Sequence, residues 1–198
     1  MNSLLLDSSA QDLSIGIVKN DELIYQVCFP CWQRQSELMI PELEKALQET
    51  GMEIKDFDEI VCGKGPGSYT GVRIALTIAK TICVMDENIK LKLVSSLLIQ
   101  GRKNKKFISV MNARSARSYV CVYDGKEVEV QDTIMTNEEV LNYINAHKEY
   151  EVVGDCSYLG LEKEPFDIVE GLFSFKDEIE EEKYEKKDYF SFLLQIAL

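Results

Sequence analysis

The chain of 198 residues is long enough for one large domain or two small ones, and either can bury a substantial core. Its 45% hydrophobic and 28% charged residues are ordinary for a globular protein, while a formal net charge of −12 argues against a chain that grips RNA alone. The one basic run, Arg102-Lys103-Asn104-Lys105-Lys106, reads equally as a solvated loop. The opening Met-Asn-Ser-Leu-Leu-Leu-Asp has no basic leader, and no stretch approaches the roughly 18 apolar residues of a membrane span. The expectation is a cytoplasmic protein that binds no membrane and keeps its six cysteines reduced.

In chain order, residues 4–6, 13–18 and 23–29 read as three short strands separated by an Asp-Ser-Ser turn and an Asn-Asp turn, an antiparallel meander. From Ser36 the period becomes helical, with Met39, Ile40, Leu43, Ala46 and Leu47 on one face, Pro41 in the first turn and Gly51 as the stop. Residues 59–63 form a strand, a glycine-rich loop follows, and 72–85 is a helix. A strand at 91–94 then enters a brief helix at 96–100. In the second half, strands are expected at 107–111, 118–123 and 126–130, with Asp124-Gly125 turning a hairpin. Thr136 and Glu139 fit a capping box that opens a helix to about residue 147, and 151–154 is a last strand. The charged and then apolar tail from 176 to 198 is read as helix. This order predicts an α/β chain with a mixed sheet and packed helices in each of two lobes. The division falls near residue 101, giving lobes 1–101 and 102–198, the second smaller and open to being incomplete.

The most specific string is Gly65-Pro66-Gly67-Ser68-Tyr69-Thr70-Gly71-Val72-Arg73, placed between a strand and a helix. Its backbone amides could hold an anion at the helix start, or its glycines could only permit a tight turn. It lacks the Gly-Lys-Ser/Thr closure of a P-loop and the glycine spacing of a dinucleotide fingerprint. In the helix that follows, Arg73, Thr77, Lys80 and Thr81 make one polar stripe, and apolar residues fill the rest. Such a wide apolar arc is buried on several sides or packs against another chain. Asp7 reads as a turn aspartate, or as an acidic group near phosphate. Cys28-Phe29-Pro30-Cys31 has the spacing of a redox or zinc half-site but stands in a strand-rich context without further ligands nearby. With one histidine, His147, a Ser/His/Asp or Cys/His set has little to build on.

The string from Gly65 to Lys80 resembles the bacterial TsaB (YeaZ) family, which serves in tRNA threonylcarbamoyladenosine biosynthesis. Weaker matches follow in order: the Leu-Leu-Leu-Asp7 opening, Ser36-Glu37-Leu38, Leu93-Val94-Ser95-Ser96-Leu97, Asn112-Ala113-Arg114, and Val152-Val153-Gly154-Asp155. Together they span about residues 4–155. The chain departs from the family at Asn112, where Asp is usual, at Gln35, where His is common, and in the tail, where Tyr-Leu-Arg is not recognisable.

The resemblance implies an actin-like (ASKHA) fold of two lobes and a degenerate paralogue of the catalytic TsaD transferase. In those relatives two histidines bind metal after the strand matching 91–94; the corresponding positions here are Ser96 and Gln100, which do not replace imidazoles. No catalytic residue, metal ligand or cofactor is therefore expected. The implied role is a scaffold or dimerisation subunit that binds a TsaD-like enzyme, with a TsaE-like ATPase as third component, a homodimer when alone, and tRNA met only through the complex. The helices at about 36–50 and 72–85 are the implied interface, with Leu38, Leu43, Ala75, Leu76 and Ile82 as contact residues. Gly65, Pro66, Gly67, Ser68, Thr70, Gly71 and Arg73 are the loop residues, as a turn or a weak anion site. The rivals are a small-molecule kinase or glycoprotease-like hydrolase on the same fold, and a nucleotide-binding module.

Overall fold

The computed structural model describes residues 1–31, 33–162, 166–177 and 181–182. A six-stranded sheet is built from β1 (Ser3–Asp7), β2 (Asp12–Lys19), β3 (Glu22–Pro30), β4 (Glu59–Gly63), β5 (Lys90–Val94) and β10 (Glu181–Glu182). The first three strands form the expected antiparallel meander, and β4 and β5 add in parallel beside β1. The spatial order is β10-β5-β4-β1-β2-β3. A second, four-stranded sheet holds β6 (Phe107–Arg114), β7 (Arg117–Tyr123), β8 (Val128–Thr136) and β9 (Glu151–Gly154) in the order β8-β7-β6-β9. There too a meander is followed by a parallel strand laid against the first one. One topology is thus used twice, and the repeat makes the fold actin-like.

Strand β1 is central, so alternate side chains enter different cores. Leu4 and Leu6 join Ile15, Ile17 and Ile60 beneath α1 (Gln35–Thr50) and α2 (Tyr69–Met85), which supply Met39, Leu43, Ala46, Ala75 and Ala79. Leu5 points the other way, with Val61 and Val94, against α4 (Ile168–Phe175). That helix lies between the two sheets: Val169, Leu172 and Phe175 are fully buried beside Phe107 and Tyr123. Phe175 meets the Tyr123 ring edge-on at 5.3 Å. Gly171 is required there, because a Cβ would run into the Ile99 carbonyl. Helix α3 (Asn137–Ala146) covers the outer face of the second sheet, and its Thr136–Glu139 capping box is formed in both directions.

The base of the first sheet is closed by charge. Ser3 Oγ donates to Glu59 Oε1 at 2.6 Å, and Lys92 Nζ lies 2.8 Å from Glu59 Oε2. Buried Lys176, 3.9 Å from the same carboxylate, carries the end of α4 back to this point.

Several expectations are adjusted. Pro41 lies inside α1 rather than in its first turn, on an exposed position where the carbonyl it leaves unpaired can meet water. Helix α2 starts at Tyr69, earlier than residue 72, because Ser68 caps it by accepting the Gly71 amide. Strand β8 starts at Val128 and runs on to Thr136, because Asp124 Oδ1 accepts the amides of Lys126 and Glu127 and holds them in the turn. Within the 176–198 tail read as helix, residues 181–182 form a short strand against β5; 178–180 and 183–198 lie outside the described residues. Among the described residues, no helix is long and apolar enough to cross a membrane.

Candidate functional site

The glycine string closes one corner of the first lobe. Ser68 N donates to Ser9 O at 2.7 Å, and Ser8 Oγ donates to Gly71 O at 2.6 Å. Gly65 N donates to Ser96 Oγ and Ser96 N returns a bond to Gly65 O. A Cβ at Gly67 would meet the Ser9 carbonyl, and one at Gly71 the Ser8 carbonyl. Glycine is used here for close approach of two backbones. The amides of Gly65, Ser68 and Gly71 are already bonded within the protein, so the loop clamps the Ser8-Ser9 turn. Pro66 is half-buried beside it, while Thr70 is exposed. Arg73 turns outward, its Nη1 donating to Tyr69 Oη at 2.7 Å.

Asp7 sits behind this clamp, at the end of β1. Its Oδ2 accepts from Ser9 N and Ser9 Oγ, both at 3.0 Å, while Oδ1 has no hydrogen-bond partner. Burial pushes the carboxyl up to about 6, only partly offset by the Ser9 bonds. Gly63 must be glycine because Asp7 Oδ1 occupies the place of its Cβ.

Ser96 and Gln100 are both buried and both bonded to the backbone: Ser96 Oγ accepts the Gly65 amide, and Gln100 Nε2 donates to Ser96 O at 3.1 Å. A hydroxyl and an amide so engaged do not fit a transition metal. Among the described residues, no group of three or more His, Cys, Asp or Glu side chains could hold a metal ion. His147 lies at the end of α3, its Nδ1 2.8 Å from Tyr143 O and its ring stacked on Tyr143. In the Cys28/Cys31 pair, burial raises both thiols, the opposite of what an activated cysteine needs.

The two lobes enclose a cleft of about 830 Å³. One wall is the β1–β2 turn, including Asp12, with Ser68, Tyr69 and Thr70 from the start of α2. The other is the β6–β7 hairpin, with Asn112 and Arg114, and the segment after β9, with Asp155 and Ser157. Gln100, Met111 and Val153 also line it. Three successive residues at the hairpin tip, Arg114, Ser115 and Ala116, hold φ between 51° and 62°. Of the site residues expected from sequence, Gly67, Ser68 and Thr70 reach this cleft. Asp12, Asn112, Arg114, Asp155 and Phe166 were not among them. Strand ends that face one another, at β6 and β9, are the signal that could have found Asn112 and Asp155; nothing local marks Phe166.

A second feature is the outer surface of α1 and α2. Of the five expected contact residues, Leu43 and Ala75 are turned inward, 6% and 1% exposed, because α1 and α2 direct these positions at their own sheet. Leu38, Leu76 and Ile82 keep part of their surface accessible. Around them Ile40, Tyr69 and Met85 are 54%, 76% and 82% exposed. The basic run is tied to the second lobe instead: Lys105 pairs with Glu151 at 3.8 Å, and Lys106 lies over the Tyr150 ring.

Fold and site define a two-lobed actin-like protein that keeps a glycine loop beside its cleft. Residues 31–167 match the family model "TsaD: tRNA N6-adenosine threonylcarbamoyltransferase". The chain belongs to this family, as one of its TsaB (YeaZ) members. It is 34% identical over 130 residues to the tRNA threonylcarbamoyladenosine biosynthesis protein TsaB of Bacillus subtilis (strain 168), covering 64% of this chain and 56% of that one. It is 28% identical over 133 residues to the protein of the same name from Escherichia coli (strain K12), covering 64% and 57%. The chain thus spans little more than half the length of these relatives. The structure of YeaZ from Pseudomonas aeruginosa superposes with a TM-score of 0.75 at 20% identity, over 91% of this chain and 95% of that one, which speaks for the fold.

Proposed function

We propose that the chain is a non-catalytic scaffold subunit in the addition of a threonylcarbamoyl group to N6 of the adenosine beside the tRNA anticodon. In this reading it binds and stabilises a TsaD-like transferase, pairs with itself when alone, has a TsaE-like ATPase as third component, and meets tRNA through the assembly. The observation that carries it is the apolar surface left on α1 and α2. Ile40 and Met85 stand in water beside the half-covered Leu38, Leu76 and Ile82, an arrangement that a helical partner would bury. Ser96 and Gln100, held in backbone hydrogen bonds, support a binding role over a catalytic one. A two-fold interface built from one patch could serve both the homodimer and the pairing with a paralogue.

The test is light scattering after size exclusion on this chain and the transferase of the same organism, each alone and mixed. The expected result is a stable mixed complex that Leu76→Glu abolishes without unfolding the chain. No association at micromolar concentration would contradict the scaffold reading, and ATP turnover by the isolated chain would then favour a kinase.

A further inference from the structure

The cleft contains a buried group whose bonding is incomplete. Gln100 is 7% exposed, and its Nε2 donation to the Ser96 carbonyl fixes which end of the amide is oxygen. Oε1 receives no hydrogen bond from the described residues, and Gln100 lines the cavity next to Gly154, where a Cβ would come within 2.9 Å of that oxygen. A rigidly held acceptor that the protein leaves unpaired is a place for a ligand donor.

The charges around it set the kind of donor. Asp12 and Asp155 line the same cavity, and among the described residues Arg114 is the one cationic side chain that does so. Among the described residues, Asp155 accepts only the Ser157 hydroxyl, at 2.9 Å. The chain's net charge of −12 adds a field that draws cations and repels polyanions. On the clamp side the amides of Gly65, Ser68 and Gly71 are spent within the protein, which leaves fewer donors for a polyphosphate. Met111, Val153 and Ile168 supply apolar wall between the acceptors. A cavity of about 830 Å³ is of ordinary size for a small ligand.

We propose that this cleft binds a small aliphatic amine in its ammonium form, the cation meeting Gln100 Oε1 and the carboxylates of Asp12 and Asp155, the methylenes lying on Met111 and Ile168. The chemistry is that of a linear diamine or polyamine. It stands apart from the scaffold reading, since it uses the cleft and leaves the helix face free.

Isothermal titration of the full chain with putrescine and with spermidine, at physiological salt, tests it. A saturable single site with Kd below about 1 mM is expected, weakened at least about tenfold by Gln100→Leu, which leaves the charge unchanged. Asp12→Asn weakens it similarly, and serves if Gln100→Leu fails to fold. Glu138→Gln, an equal change of charge on α3 outside the cleft, should leave the affinity within about twofold. The proposal is overturned if Asp12→Asn and Glu138→Gln weaken binding equally, since the attraction is then diffuse. It is equally overturned by the absence of a saturable heat, or by ATP or adenosine binding more tightly than either amine.

Discussion

The same corner is built twice in this molecule, and the two copies end differently. In each lobe a meander runs into a parallel strand that ends in glycine, Gly63 in β4 and Gly154 in β9. In the first lobe the corner is sealed: the glycine loop is bonded onto Ser8 and Ser9, and buried Asp7 faces a space with no donor for Oδ1. In the second lobe the corresponding hairpin at Arg114–Ala116 is exposed and stands at the edge of the cleft with left-handed backbone. The difference teaches that a glycine-rich string at a strand–helix junction can be spent on the protein itself, while the less conspicuous hairpin of the other lobe stays open to solvent and ligands.

If the first corner is a clamp, its glycines should be the most costly to change. Gly71→Ala places a methyl against the Ser8 carbonyl and should lose about 2 kcal/mol by urea denaturation, even though alanine favours the helix by about 1 kcal/mol. A neutral or stabilising result would mean the loop is slack and its amides are available after all.

Asp7→Asn sharpens the same point through pH. The folded carboxyl titrates near 6, above the ordinary 3.8, so the native state binds the proton more tightly than the unfolded chain does. Asp7 therefore supports the fold most at low pH, and that support is lost as pH rises from about 4 to about 6. The stability of Asp7→Asn minus that of the parent should grow across this window and level off above it, at about 1–2 kcal/mol in favour of asparagine. A difference flat with pH would contradict a buried carboxylate with one oxygen unpaired.

The smallest effect is expected in the open corner. Ala116, with φ of 55° on an exposed hairpin tip, pays for a left-handed conformation that glycine adopts freely, although glycine also gains freedom in the unfolded chain. Ala116→Gly should raise stability by no more than about 1 kcal/mol in thermal melts. A clear loss would show that the tip is held by contacts beyond its own backbone.

Much of this architecture was legible in the amino-acid pattern. The meander, α1, α2 and the capped α3 follow from period, turn residues and caps, which are local. Helix α4 was not legible: 168–175 is a short apolar run interrupted by Gly171, whose reason lies in the distant Ile99 carbonyl. The assignment of Leu43 and Ala75 to a partner surface had a similar origin, since periodicity shows that a helix is apolar without showing which side its own sheet will cover. The glycine loop was visible at once, but its use depended on which groups consume its amides. The cleft draws Gln100, Asn112 with Arg114, and Asp155 from three separate stretches, and only the tertiary fold brings them together.

The central claim is that the helix face works and the sealed corner does not react. Threonylcarbamoylation of tRNA by the reconstituted assembly tests it most directly, comparing the parent chain with Leu76→Glu and Asp7→Asn at saturating threonylcarbamoyl-adenylate. The account predicts that the parent chain stimulates the reaction, that Leu76→Glu abolishes this stimulation, and that Asp7→Asn keeps it within about twofold. Full activity with Leu76→Glu and a loss of a hundredfold or so with Asp7→Asn would contradict it, because the chain would then be acting on the chemistry through the corner described here as closed.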